Sequence, residues 1–146
     1  MQLEQLSIFL ENKAGRLAEV TAVLARANIN IRSLSLADTS DFGILRLIVD
    51  EHEKAKATLK EAGFTVGLTS VVAVGVPHVP GGLDSMLQLL GAESVNVEYM
   101  YALLQKGDHA ILVCRFNRPE AAMDILRKAG IPVLDSEQIR ADQPVL

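Results

Sequence analysis

Apolar and polar positions change period several times along the chain. Residues 3–10 (Leu-Glu-Gln-Leu-Ser-Ile-Phe-Leu) read as a strand that runs into a polar turn. Leu17, Val20, Val23, Leu24 and Ala27 then fall on one helical face, and Asn28 ends the helix. Residues 29–37 alternate with period two, the pattern of a half-buried strand. A polar turn at residues 38–41 precedes a mostly apolar strand at 44–49. Asp50 is placed to cap a second helix, whose stripe is Ala55, Leu59 and Ala62 and whose stop is Gly63. A fourth strand is predicted at 64–68. The order is β-α-β-β-α-β.

The same order then repeats. A strand at 71–76 leads to a helix lined by Leu83, Met86, Leu87 and Leu90, with Gly91 as its predicted stop. A longer strand at 95–105, a hairpin turn at Lys106-Gly107-Asp108 and a strand at 110–116 follow. Pro119 opens a helix with Ala122, Ile125, Leu126 and Ala129 inward and Gly130 as its stop. Residues 131–134 close the second sheet, residues 136–139 add a helical turn, and residues 141–146 are expected to fray. Thr69-Ser70 alone separates the last strand of the first copy from the first strand of the second.

The repetition extends to residue identity. Gly15 and Leu17 recur as Gly81 and Leu83, and Asn30-Ile31 as Asn96-Val97, 66 positions on. Glu53, Leu59 and Ala62-Gly63 recur as Glu120, Leu126 and Ala129-Gly130, 67 positions on. The chain therefore reads as two copies of one unit, residues 1–69 and 70–146. Each β-α-β-β-α-β copy predicts an α+β, ferredoxin-like domain: an antiparallel four-stranded sheet with both helices on one face.

Composition agrees with two small units that need a further surface. Of the 146 residues 49% are hydrophobic, and the mean hydropathy is +0.25. A unit of roughly 70 residues hides only about 60% of its unfolded surface, so a homodimer or larger assembly is expected. The net charge of −4 gives no general attraction to nucleic acid or to an anionic membrane. No apolar run approaches the ~20 residues of a membrane span, and the start resembles no signal peptide. One cysteine, Cys114, excludes an internal disulfide and a Cys-rich zinc site; its neighbours suggest a buried strand thiol. The expectation is a soluble, cytoplasmic protein without metal or cofactor.

Chemistry is concentrated where the first strand of each copy meets its helix. In copy one the segment is Leu10-Glu11-Asn12-Lys13-Ala14-Gly15-Arg16-Leu17. In copy two it runs from Val76 through Pro77, His78, Val79, Pro80, Gly81 and Gly82 to Leu83. A helix start presents unpaired N–H donors and partial positive charge, which suit a carboxylate. Gly15 and Gly81 allow close backbone approach. Asn30 and Asn96, at the second strands, offer a donor and an acceptor each, as a zwitterion requires. A strand-to-helix turn also selects Gly and Asn for geometry alone, so the pattern leaves both roles open. Lys13 and Arg16 suit an anion or plain solvation equally. No Ser-His-Asp, Cys-His or paired-carboxylate arrangement and no Walker-type loop is found, so no catalytic residue and no enzyme activity is expected. An RNA-binding sheet of this topology needs central aromatics and basic charge; residues 44–49 hold no aromatic, and the net charge is negative.

Asn12-Lys13-Ala14-Gly15-Arg16-Leu17 followed by Ala27-Asn28-Ile29-Asn30-Ile31 resembles the ACT-domain pattern, in which an "N-x-P-G-x-L" turn precedes a helix and a "G-x-N-I" strand start. Val79-Pro80-Gly81-Gly82-Leu83 with Ser94-Val95-Asn96-Val97 resembles it too and keeps the proline. The resemblance spans the chain as two ACT domains in tandem. It implies a non-catalytic regulatory protein that binds a free amino acid at interfaces between paired domains and modulates a partner enzyme of amino-acid metabolism. The implied site joins the first loop of one domain to the second-strand region of its partner. By position, Asn12 and Asn30 match the polar contacts of serine-binding ACT domains. The histidine those domains carry two residues before the first Asn is here Leu10, and Val76 in copy two, which favours a less polar ligand. His78 stands at the Asn12 position of copy two, so the copies need not bind equally. The alternative is an assembly subunit without its own ligand, similar to the small subunit of acetolactate synthase.

Overall fold

The computed structural model describes residues 2–140. Seven strands and five helices follow in the order β1 (Leu3–Glu11), α1 (Arg16–Arg26), β2 (Ile31–Asp38), β3 (Phe42–Val49), α2 (His52–Glu61), β4 (Thr65–Pro77), α3 (Gly82–Ala92), β5 (Val97–Lys106), β6 (His109–Phe116), α4 (Pro119–Lys128), β7 (Val133–Leu134) and α5 (Ser136–Arg140). Two compact units result, one of residues 4–69 and one of residues 70–140 with residues 2 and 3.

In the first unit the strand order is β2-β3-β1-β4. Leu6 pairs with Leu47 and Glu11 with Phe42, while Leu34 of β2 pairs with Leu47 from the other side, all antiparallel. Leu6, Ile8 and Leu10 of β1 and Leu45, Leu47 and Val49 of β3 pack with Val20 and Leu24 of α1 and Ala55 and Leu59 of α2. One sheet face is thus covered by both helices. The second unit repeats the order as β5-β6-β4, with β7 on the other side of β4. Val72, Val74 and Val76, with Cys114 and Phe116, pack on Met86, Leu90, Ala122 and Leu126. This is the split βαβ arrangement expected from the periodicity.

Three local expectations are corrected. Thr69-Ser70 makes no break between strands: β4 runs unbroken from Thr65 to Pro77. No Gly, Pro, Asn or Asp lies between Leu68 and Val71 to turn the chain. Asp50 does not cap α2, whose N-cap is Glu51 without a side-chain cap bond; the Asp50 carboxylate accepts the Asn30 N–H instead, at 3.1 Å. Gly91 does not stop α3, which continues to Ala92. Ser94, at φ 58, takes the left-handed position, as Asn28 does at φ 57 in copy one. Residues 141–146 lie outside the described residues.

Cys114 is fully buried and unpaired. Burial disfavours its thiolate and pushes its pKa up to about 12. The native thiol is therefore expected to be inert to Ellman's reagent at pH near 8, and to react once per chain only when urea unfolds the second unit. Rapid reaction in native buffer would contradict the packing of β6.

Candidate functional site

In copy one, β1 delivers the chain to the loop with Leu10 as its last inward side chain, 3% exposed and part of the core. The Lys13 N–H donates to the Glu11 carbonyl at 2.9 Å, and the Arg16 N–H to the Lys13 carbonyl at 3.4 Å. Gly15 then takes φ 92, where a side chain would be strained. The Glu19 N–H is the first to close an α-turn, donating to the Gly15 carbonyl at 3.0 Å. Helix geometry leaves the Leu17 and Ala18 N–H groups without an intrahelical acceptor, and no side chain caps them. Asn12 ties the loop to the β2–β3 turn: its N–H meets the Asp41 carbonyl at 2.9 Å, and its side-chain amide the Thr39 carbonyl at 3.3 Å.

The two cations of this loop have partners within the chain. Lys13 pairs with Glu11 at 3.1 Å, and that contact holds the Glu11 carboxyl below its usual range. Arg16 pairs with Glu19 and Glu11, and its guanidinium lies 5.1 Å from the centre of the Phe64 ring. Its Nε is buried without a hydrogen-bond partner. Ala14, Gly15 and Leu17 are exposed beside it.

Copy two repeats the loop with a tighter closure. Val76 is 4% exposed and belongs to the core, as Leu10 does. The His78 N–H donates to the Asp108 carbonyl at 2.8 Å, the same tie that Asn12 makes to Asp41. Gly81 has φ 88, and the Ser85 N–H closes the first turn on its carbonyl at 3.0 Å. Leu83 and Asp84 are left as the uncapped donors. His78, Pro80, Gly81 and Leu83 are exposed, whereas Gly82 is buried. A Cβ at Gly82 would lie 2.0 Å from the Pro77 carbonyl oxygen. Arg16 occupies the equivalent position of copy one, so the two loops differ most there.

Asn30 is held by a reciprocal pair. Its N–H donates to the Asp50 carboxylate at 3.1 Å, and the Asp50 N–H donates to its carbonyl at 3.3 Å. Asn96 and Asn117 repeat this at 2.9 and 3.1 Å. Asp50, expected as a helix cap, and Asn117 are Asx residues 67 positions apart that hold the two asparagines in the same way. Among the described residues neither Asn30 nor Asn96 has a side-chain hydrogen bond. Within one unit the structure does not bring Asn30 to the first loop. Asp38, at the loop end of β2, lies opposite Gly43, which lies opposite Leu10. Asn30 is eight strand positions back, about 26 Å away at ~3.3 Å per residue.

Features without a sequence signal accompany the loops. A shallow hollow of about 340 Å³ lies between the C-terminal turns of α1 and α2, bordered by Val23, Arg26, Ala27, Thr58, Glu61 and Ala62. Leu34 and Leu36, on the edge strand β2, are 45% and 49% exposed. Among the described residues no three His, Cys, Asp or Glu side chains gather as metal ligands, and no helix is long and apolar enough to cross a membrane.

Two ferredoxin-like units, each with a glycine-started helix after its first strand and an Asn at its second, define a tandem ACT architecture. The sequence profile of the ACT domain pair matches residues 1–141, and the chain belongs to that family. Its fold is similar to that of protein BT0572 from Bacteroides thetaiotaomicron, at 42% identity and TM-score 0.90 over 97% of this chain and 98% of that one. The regulatory subunit of aspartate kinase from Thermus thermophilus, in a ligand-free form, shares the fold at 18% identity and TM-score 0.63, over 86% and 91% of the two chains. E. coli aspartokinase III, in complex with lysine and aspartate, does so at 19% identity and TM-score 0.53, over 87% of this chain and 30% of that one. No curated protein sequence matches significantly.

Proposed function

We propose that this chain is a non-catalytic regulatory protein, two ACT domains at residues 1–69 and 70–146, that binds a free α-amino acid and modulates a partner enzyme of amino-acid metabolism. The observation that carries this reading is the repeated helix start: in each copy two uncapped N–H groups follow a left-handed glycine. They suit the ligand carboxylate. Its ammonium meets the Asn30 side-chain amide, or a nearby carbonyl, of a partner ACT domain. Asn30 is too far from the loop of its own unit to serve it, so the site lies where two ACT domains meet, and a homodimer or larger assembly accompanies it. The match to an ACT domain pair supports a regulatory role, and a soluble cytoplasmic setting accompanies it. Buried Leu10 in place of a histidine favours an apolar or weakly polar ligand side chain.

Calorimetry with the twenty amino acids tests the reading, and a thermal-shift screen precedes it, since a ligand of the folded state raises the melting temperature. Losing one hydrogen bond to a charged group costs roughly 1.5–3 kcal/mol, about tenfold to more than a hundredfold in affinity. Asn30→Ala is expected to weaken binding by that much with the fold intact, because its backbone pair with Asp50 remains. If no amino acid binds at millimolar concentration, the sensor reading fails. The assembly-subunit reading, which the exposed Leu34 and Leu36 of β2 favour, then takes its place. Light scattering that gives a 15.8 kDa monomer at micromolar concentration rejects both.

A further inference from the structure

The second strands of the two copies begin alike in backbone and unlike in charge. Ile31 pairs with Val49 and Ser33 with Ile48, so Arg32 is the extra residue of a β-bulge. Val97 pairs with Phe116 and Tyr99 with Arg115, which makes Glu98 its counterpart, 66 positions on. Ile31 and Val97 pack on the cores of their units. Alternation therefore puts Asn30 with Arg32, and Asn96 with Glu98, on the sheet face away from the helices. Bulges recur beside active sites, where the extra residue re-aims a side chain.

In copy two the chain neutralises its own charge there. Glu98 Oε1 lies 3.4 Å from Arg115 Nε, and the residue that accepts the Asn96 N–H is the neutral Asn117. Asn96, Glu98 and Asn117 are all exposed. Copy one differs at three of these positions. Arg32 stands for Glu98, Asp50 for Asn117, and Ile48, 6% exposed, for Arg115. Asn30, Arg32 and Asp50 are half-buried. Arg32 Nε is buried without a hydrogen-bond partner, and the Asp50 carboxylate accepts the Asn30 N–H. Among the described residues neither Arg32 nor Asp50 has an ion-pair partner, and they are not paired with each other. Desolvated charges are ordinarily paired. A cation and an anion without partners, on either side of one asparagine, point to a ligand that carries both opposite charges.

We propose that Asn30, Arg32 and Asp50 form the zwitterion-binding half of the amino-acid site, and that copy two lacks it. The Arg32 guanidinium takes the α-carboxylate, with parallel N–H donors matched to its two oxygens. The Asp50 carboxylate and the Asn30 side-chain carbonyl take the α-ammonium. This rests on the amino-acid reading above and deepens it, because it says which copy receives the ligand and which groups of the ligand are required. A carboxylate has about four acceptor positions, so Arg32 and the N–H groups of a helix start can share it. Asp50 adds an anion where Asn30 alone offers a neutral acceptor, and the site thereby selects an α-amino acid over an amine or an acid that lacks either group. In copy two the bulge charge has the opposite sign and is already paired, so no carboxylate is received there. One ligand per chain follows.

Calorimetry of the full chain with each of the twenty amino acids selects the tightest binder. The probes are then that amino acid, its des-amino acid and its α-amide. One amino acid per chain is expected. Arg32→Gln and Asp50→Asn are each expected to weaken it about tenfold to more than a hundredfold. Asp50→Asn leaves the Asn30 N–H an oxygen acceptor, as Asn117 does for Asn96, so the fold is kept. The losses are expected to follow charge: Arg32→Gln changes α-amide binding little, and Asp50→Asn changes des-amino acid binding little. Arg32→Lys is expected to restore part of the affinity that Arg32→Gln loses. The unliganded melting temperature of Arg32→Gln is expected to hold, because the guanidinium has no partner among the described residues to lose. If no amino acid binds wild type at millimolar concentration, the amino-acid reading fails and the role of Arg32 and Asp50 with it. If one binds wild type and both variants alike, that reading stands and this proposal alone is overturned. Two ligands per chain, or an Arg32→Gln variant that melts earlier with its affinity unchanged, would overturn it as well.

Discussion

Phe116→Ala is expected to cost about 3–5 kcal/mol, the range for emptying a large aromatic site in a core that cannot collapse fully. Phe116 is 1% exposed and packs among Val72, Val74, Met86 and Leu126 in the second unit's core. At 0.05–0.15 kcal/mol per residue, a unit of roughly 70 residues has about 4–10 kcal/mol to lose. The substitution therefore removes much of the second unit's stability while the first keeps its separate core. Urea unfolding followed by circular dichroism and by Cys114 reactivity distinguishes the units, because Cys114 lies in the same core as Phe116. The thiol transition is expected to move to lower urea, and part of the secondary structure to persist above it. A single transition displaced by less than 1 kcal/mol would mean that the second core does not rest on Phe116.

Much of this architecture is visible in the sequence because two signals agree. Periodicity marks β1, α1, β2 and β3, and the offset of 66 or 67 residues then carries each element into the second copy. What escapes is decided by geometry that periodicity does not encode. Asp50 is as suited to a helix N-cap as to a strand-edge acceptor, and only the pairing of Ile31 with Val49 brings it to the Asn30 N–H. Gly91 looks like a helix stop. Yet the counterpart of Asn28, 66 positions on, is Ser94, and there the chain does turn left-handed. The offset held that answer and residue type concealed it. The loops at Gly15 and Gly81 were legible as helix starts. The distance between loop and Asn30 was not, because it depends on the register of β2 against β3.

Two alanine substitutions in α3 are expected to act with opposite sign. Gly→Ala inside a helix ordinarily stabilises by up to about 1 kcal/mol, since glycine carries the larger entropy cost. Gly91 has no atom within 4 Å of a Cβ built on it and no positive φ, so Gly91→Ala is expected to gain about 0.5–1 kcal/mol. Gly82, in the first turn of the same helix, is buried, and its Cβ would fall 2.0 Å from the Pro77 carbonyl oxygen and 3.1 Å from the carbonyl carbon. Those are backbone atoms at the end of β4, where Pro77 is paired with His109, so relief requires the strand end or the helix start to move. Overpacking of this kind costs typically 1–3 kcal/mol, which outweighs the helix-propensity gain. Gly82→Ala is therefore expected to destabilise the second unit, with the displacement concentrated in residues 77–82. Thermal unfolding of the two variants against wild type gives the signs, and backbone amide shifts locate the movement. If Gly82→Ala raised the melting temperature as Gly91→Ala does, the tight closure of this loop over Pro77 would be wrong, and the second copy's helix start would be as open as the first.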